Sequence, residues 1–205
     1  MGSTAVFMDR DGVINPYVYN AEFGTVDSPS NPDEFQFSPG VPEAIDALHS
    51  MGFLIIVVSN QPGIAKGKFT PELLAATTKK MLEGCGGKIH EVFYCLHHPQ
   101  ATNPKYLSDC SCRKPKPGLL LQAAAKWKID LAASFMVGDG LTDVLAGKAA
   151  GTRTISVNTR KCYLCEEMAK HDATPDFFVA NMGAVVDLIR NQQNLPQLTL
   201  RSLQR

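Results

Sequence analysis

Short apolar runs recur along the chain. They cover residues 4–8, 53–58, 91–95, 134–137 and 154–157, with 176–179 as a weaker sixth. Each is rich in β-branched or aromatic residues and is bounded by turn-forming ones, the pattern of a short strand. Between them the apolar spacing lengthens to three or four. Val41, Ile45 and Leu48 share one face behind Pro42. Thr70-Pro71-Glu72 reads as an N-cap with proline at the first helical position, leading through Leu74 to Met81. Pro117 opens a helix with Leu120, Ala124 and Trp127 on one side. Residues 141–150 form a further short helix stopped by Gly151, and 183–190 form the last. Strands alternating with helices at this spacing predict an α/β fold: a Rossmann-like, mostly parallel sheet covered by helices on both faces.

Two segments break the rhythm. Residues 20–39 are rich in Pro, Ser, Asn and Asp and read as a long loop. Residues 97–117 carry Pro99, Pro104, Pro115 and Pro117, two cysteines and no periodicity. Loops of this length inside a compact domain usually serve a function or are held by something. No linker interrupts the strands, so residues 1–190 read as a single domain and 191–205 as a polar tail.

Composition changes this picture little. The 205 residues are 44% hydrophobic and 20% charged, with 20 basic and 20 acidic side chains. A net charge of zero gives no argument for a nucleic-acid or membrane partner. No stretch approaches the roughly 20 apolar residues of a membrane span, and no basic segment precedes a long apolar run. The expectation is a soluble cytoplasmic monomer. Of the 6 cysteines, the close-spaced ones suggest metal rather than disulfides in a reducing compartment.

Four motifs sit where strands end. Asp9-Arg10-Asp11-Gly12-Val13 places two carboxylates beyond the first strand, where open parallel sheets bind ligands. Mg²⁺ prefers oxygen ligands and would relieve the repulsion between them. Ser59, followed by Asn60, Gln61 and a glycine loop, offers a hydroxyl and backbone N–H groups to phosphate oxygens. Arg113 and Lys114, with Lys116, precede a helix whose N-terminus favours anions. Gly138-Asp139, with Asp143 four residues on, adds carboxylates that complete a Mg²⁺ shell or cap a helix, with Asp139 as the cap. Taken singly, each motif is explained as well by an ordinary turn.

Taken in order, each after a strand, they resemble the four motifs of the haloacid dehalogenase (HAD) superfamily of phosphotransferases. The resemblance covers residues 5 to about 160. It implies that Asp9 is the nucleophile, that Asp11 is the general acid/base, and that Ser59 and Lys114 steady the phosphoryl group. It also implies Mg²⁺ held by the Asp9 side chain, the Asp11 carbonyl and Asp139, with Asp143 behind them.

A fifth pattern narrows the reading. Cys95-Leu96-His97 and Cys110-Ser111-Cys112 give C-x-H and C-x-C separated by twelve residues. Three thiolates and an imidazole make a closed tetrahedral, structural Zn²⁺ site, tying down the loop over 95–112. His98 in place of His97, or Cys162 and Cys165 joined to Cys110 and Cys112, are rival ligand sets. With this loop, the runs 59–65 and 112–118 closely resemble the D-glycero-D-manno-heptose 1,7-bisphosphate phosphatase family, and the related histidinol-phosphate phosphatases share most of these features. That resemblance implies a small sugar bisphosphate as substrate. Asn60, Gln61 and Arg113 would contact it, with the sugar near Tyr17 and Asn20. Two features depart from the family: Gly140, where Lys or Arg is common, and the longer 20–39 loop. Neither gap between the motifs holds a cap domain, which predicts a capless enzyme rimmed by its two long loops. Histidinol phosphate, other phosphomonoesters and polynucleotide ends are the alternative substrates.

Overall fold

The apolar runs pair edge to edge in the computed structural model, which describes residues 2–21, 24–157 and 167–194. Strand β1 (Ala5–Met8) is followed by a hairpin of β2 (Val18–Asn20) and β3 (Thr25–Asp27). Then come β4 (Leu54–Asn60), β5 (Glu91–Cys95), β6 (Phe135–Gly138), β7 (Arg153–Val157) and β8 (Phe177–Val179). Six of these form one sheet ordered β5-β4-β1-β6-β7-β8, every neighbouring pair parallel. The helices are α1 (Val41–Ser50), α2 (Pro62–Ala65), α3 (Pro71–Gly84), α4 (Gly118–Trp127), α5 (Leu141–Ala150) and α6 (Met182–Asn194).

Side-chain alternation along β1 divides the core in two. Val6 and Met8 face α1 and α6 through Ile45, Leu48, Val185 and Ile189. Ala5 and Phe7 face α4 through Leu119, Leu120 and Ala123. All four β1 residues are fully buried, and Val6, Phe7 and Met8 each contribute about 1.5–3 kcal/mol by that burial. The strand that carries the D-x-D motif is therefore buried along its whole length. Because both faces are covered, its sequence is a continuous apolar run without alternation.

Local chemistry sets several boundaries as expected. The Thr70 side chain accepts a hydrogen bond from the Leu73 N–H with Pro71 at the first helical position, and Gly151 ends α5 in the left-handed region. Other expectations are corrected. The 20–39 segment is not a plain loop: β3 lies within it and pairs antiparallel with β2, Tyr19 opposite Val26. Its polar composition hid β3, which buries little and rests on cross-strand hydrogen bonds. Asp139 does not cap α5; Gly140 is the N-cap, and its N–H is held 3.1 Å from the Asp143 carboxylate. Pro117 occupies the N-cap of α4 rather than its first turn. Helix α6 runs past 190 to Asn194, and Val185, Val186 and Ile189 bury one face of it in the core. Strand β4 extends through Asn60, which pairs with Cys95. Among the described residues no cap domain interrupts the sheet, and no helix is long and apolar enough to cross a membrane.

Candidate active site

The carboxyl ends of β1, β4 and β6 meet above the sheet and bring the motifs together. The Asp9 N–H is tied to the Val137 carbonyl at 2.9 Å, fixing the end of β1 against β6. The Asp9 carboxylate lies 2.9 Å from the Lys114 Nζ and is 14% exposed. Lys114 donates to the Asp143 Oδ1 at 2.6 Å and to the Val58 carbonyl at 2.9 Å, so three partners surround its ammonium. Burial disfavours the Lys114 cation, but Asp143 and Asp9 outweigh it and raise its pKa. For Asp9 burial dominates. Lys114 offsets part of it, Asp143 and Asp11 add to it, and the carboxyl is pushed up to about 7. A nucleophilic carboxylate must be ionised, and any further cation beside Asp9 would favour that form.

Oxygen atoms of Asp9, Asp139 and Asp143 approach within 4.8 Å of one another. Asp143 also bonds Lys114 and Gly140, and together with Asp9 and Asp139 it forms an acidic cluster that could hold a hard cation. Gly12 makes this possible. It adopts φ 85°, and a Cβ there would sit 2.3 Å from the Asp139 carboxylate. Gly138 serves likewise, since a Cβ on it would lie 2.1 Å from Asp143. An all-oxygen set with open positions fits Mg²⁺, which keeps waters and takes one or two carboxylates.

Asp11 faces the other way. It is nearly buried and accepts hydrogen bonds from Arg10, Gln61, Asn15 and Ser28. Gln61, only 1% exposed, spends its amide on Arg10, Asp11 and Ser59. Asn60 grips the Lys114 backbone twice, accepting from its N–H and donating to its carbonyl, both at 3.0 Å. These two residues, read from the sequence as substrate contacts, are occupied within the protein. Ser59 is buried behind Asp9 and lowers its pKa by hydrogen bonding. Arg113 is half-buried and donates to the His97 carbonyl at 3.4 Å. Tyr17 is exposed at the rim, where partial burial and then Asp139 and Asp9 raise its phenol pKa. The Asn20 side chain lies outside the described residues. Beside Ser28 opens a cavity of about 590 Å³, lined by Val18, Thr25, Asp27, Ser30 and Lys68. Gly140 has extended backbone, and a Cβ there would meet nothing nearer than 3.4 Å, so the fold itself does not require glycine.

Cys95, His97, Cys110 and Cys112 converge at the start of the proline-rich loop, and this cluster could hold a metal ion. The Sγ separations are 3.1, 3.3 and 3.5 Å, and the His97 Nδ1 lies 3.4 Å from Cys112. Tetrahedral thiolates on one zinc would stand about 3.8 Å apart, so small shifts would suffice. Cys110 is lowered to about 7: burial opposes this, but hydrogen bonds from Cys112 and Cys95 outweigh it. The cluster contains His97 and not His98, whose Nδ1 accepts from the Gln100 N–H. Cys162 and Cys165 lie outside the described residues. From this cluster the chain runs directly to Lys114, where Asn60 clamps it.

Known proteins are similar to this chain. A HAD-hydrolase-like family model matches residues 111–185. The D-glycero-beta-D-manno-heptose-1,7-bisphosphate 7-phosphatase of Escherichia coli K12 is 38% identical over 200 residues, covering 94% of this chain and 97% of that protein. The chain belongs to that phosphatase family. The family member of Photorhabdus laumondii is 43% identical over 162 residues, covering 75% of this chain and 80% of its own. A crystal structure of D,D-heptose 1,7-bisphosphate phosphatase from B. bronchiseptica, complexed with magnesium and phosphate, superposes with a TM-score of 0.74 at 27% identity. It covers 92% of this chain and 99% of that one. As a HAD phosphatase, this chain is a phosphoric monoester hydrolase.

Sequence reasoning missed Arg10, Asn15 and Ser28. Arg10 had a signal: a cation between two aspartates at a buried strand end must have a partner. Ser28 had none, because only the hairpin brings it to Asp11.

Proposed function

We propose that this chain removes the 7-phosphate of D-glycero-β-D-manno-heptose 1,7-bisphosphate through an aspartyl-phosphate on Asp9. The observation that carries the reading is the Asp9 carboxylate at the end of β1, 2.9 Å from the buried Lys114, with Asp139 beside it. The β anomer follows the names of the relatives. An Asp9 oxygen attacks phosphorus as the bond from phosphorus to the sugar oxygen breaks. Asp11 gives a proton to that leaving oxygen. A water oxygen then attacks the same phosphorus and passes a proton to Asp11. The Asp9–phosphorus bond breaks, and inorganic phosphate leaves with both aspartates restored. Lys114 and Ser59 steady the phosphoryl oxygens.

Mg²⁺ would be held by the Asp9 side chain, the Asp11 carbonyl and Asp139, and would neutralise charge on the transferring phosphoryl group. Zn²⁺ would occupy the Cys95, His97, Cys110 and Cys112 cluster and brace the loop that delivers Lys114. Tyr17, Asn20, Arg113 and the hairpin rim would receive the sugar. Residues 1–194 would act as one cytoplasmic, monomeric catalytic unit on a small substrate.

The test is phosphorus NMR of the bisphosphate with enzyme and Mg²⁺. The 7-phosphate signal should disappear while the anomeric phosphate persists, and Asp9→Asn should abolish this. Release of the anomeric phosphate first, or preference for histidinol phosphate, would sink the proposal.

A further inference from the structure

Arg10 lies between the two motif aspartates, and its side chain is wholly buried. Its Nε donates to the Asp11 Oδ1 at 3.0 Å and its Nη2 to Oδ2 at 3.3 Å, a fork on the carboxylate. The same Nη2 donates to the Gln61 Oε1 at 3.1 Å. This turns the Gln61 amide so that its Nε2 donates to the Asp11 Oδ2 at 2.7 Å and to the Ser59 Oγ at 3.2 Å. Beneath the fork the guanidinium sits over the Tyr94 ring, 5.8 Å from its centroid. The Tyr94 hydroxyl is in turn anchored to the Thr78 Oγ1 at 2.9 Å. Burying an arginine costs several kcal/mol unless its partners are well placed. Here the partners of Nε and Nη2 form one connected set centred on Asp11, while the buried Nη1 has no hydrogen-bond partner.

We infer that Arg10 is a positioning residue for Asp11: its fork, extended through Gln61, fixes the carboxyl that must meet the leaving oxygen and later the water. A bidentate fork sets both distance and plane, which a single ammonium does not. The inference rests on the reading of Asp11 as the acid/base. It assigns no contact between Arg10 and the substrate.

Leaving-group dependence separates positioning from mere support. An alkyl phosphate needs the proton from Asp11, whereas 2,4-dinitrophenyl phosphate loses its phenolate unaided. Its phosphoryl-enzyme still needs Asp11 to activate water. Arg10→Lys, Arg10→Met and Gln61→Met are compared with Asp11→Asn and the unmodified enzyme, all with Mg²⁺. General acid/base catalysis supplies about 10²–10⁴-fold, so Arg10→Lys should slow the sugar phosphate about 10- to 100-fold with its KM little changed. With the dinitrophenyl ester the same variant should release one equivalent of phenolate within about threefold of the normal rate, then turn over slowly. If burst and turnover fall together, Arg10 is only structural and the inference fails; it fails equally if neither falls. Should Arg10→Met not fold, Arg10→Lys and Gln61→Met decide. A selective loss in Asp11→Asn without one in the Arg10 variants refutes this inference alone. No selective loss in Asp11→Asn refutes the acid/base reading beneath it.

Discussion

Replacing Lys114 with methionine removes a buried cation while keeping a side chain of similar reach. The ammonium has three partners: Val58 O at 2.9 Å, Asp143 at 2.6 Å and Asp9 at 2.9 Å. The Lys114 and Asp143 side chains are 1% and 2% exposed, so water cannot replace the lost charge without opening the site. Breaking a buried pair by removing one member costs about 3–5 kcal/mol. For a chain of this size that corresponds to a fall in Tm of about 6–20 °C. Asp9 also loses the nearest cation that opposes its protonation, and kcat should fall on the order of 10²–10³-fold through lost charge stabilisation. The assay is a double-mutant cycle. Lys114→Met, Asp143→Asn and the pair are compared by urea denaturation and by phosphate release. The two losses of stability should be less than additive by about 0.5–3 kcal/mol, because either change already breaks the contact. Strict additivity, or a Lys114→Met protein within about 1 kcal/mol of the original, would refute the claim that this pair braces the site.

Three further outcomes follow from the geometry. Gly12→Ala places a Cβ 2.3 Å from the Asp139 carboxylate at φ 85°, costing about 1–2 kcal/mol in backbone strain. It should weaken the Mg²⁺ dependence of activity more than it lowers Tm, and an unchanged Mg²⁺ titration would count against the cradle. With Zn²⁺ in the cysteine–histidine cluster as proposed, Cys110→Ser should lower the zinc content found by metal analysis and lower Tm, whereas unchanged zinc content would point to other ligands. The raised Asp9 pKa makes the metal-free protein less stable as pH rises from about 4 to about 7, since there the unfolded carboxyl has already lost the proton the folded one retains. Mg²⁺ should therefore raise Tm more at pH 8 than at pH 5 in thermal melts, and equal stabilisation at both would contradict the assignment.

The site was partly readable before any fold was known. Asp9, Lys114, Asp139 and Asp143 stand out because each follows a strand-like run or opens a helix, and a parallel sheet sends all such ends to one side. The helix starts were equally plain where the signal was local, as at Thr70-Pro71. The hairpin of β2 and β3 was not readable, because it buries too little to leave an apolar pattern. Nor were the tasks of Asn60 and Gln61. Both are polar residues after a strand, and only the approach of Lys114 and Arg10 turns them inward.

The sequence alone determined the order of the six sheet strands and the five longer helices, the carboxylates at the strand ends and the cysteine–histidine spacing. These are written in residue type and short-range periodicity. Tertiary structure alone decided which groups share a charge. Lys114 reaches Asp143 and Asp9 across three separate elements. Asp11 gains Ser28 from a hairpin and Gln61 from beyond β4. The physical reason is range. Backbone propensity acts over a few residues, whereas a buried charge takes whatever partner the packed chain brings within about 3 Å.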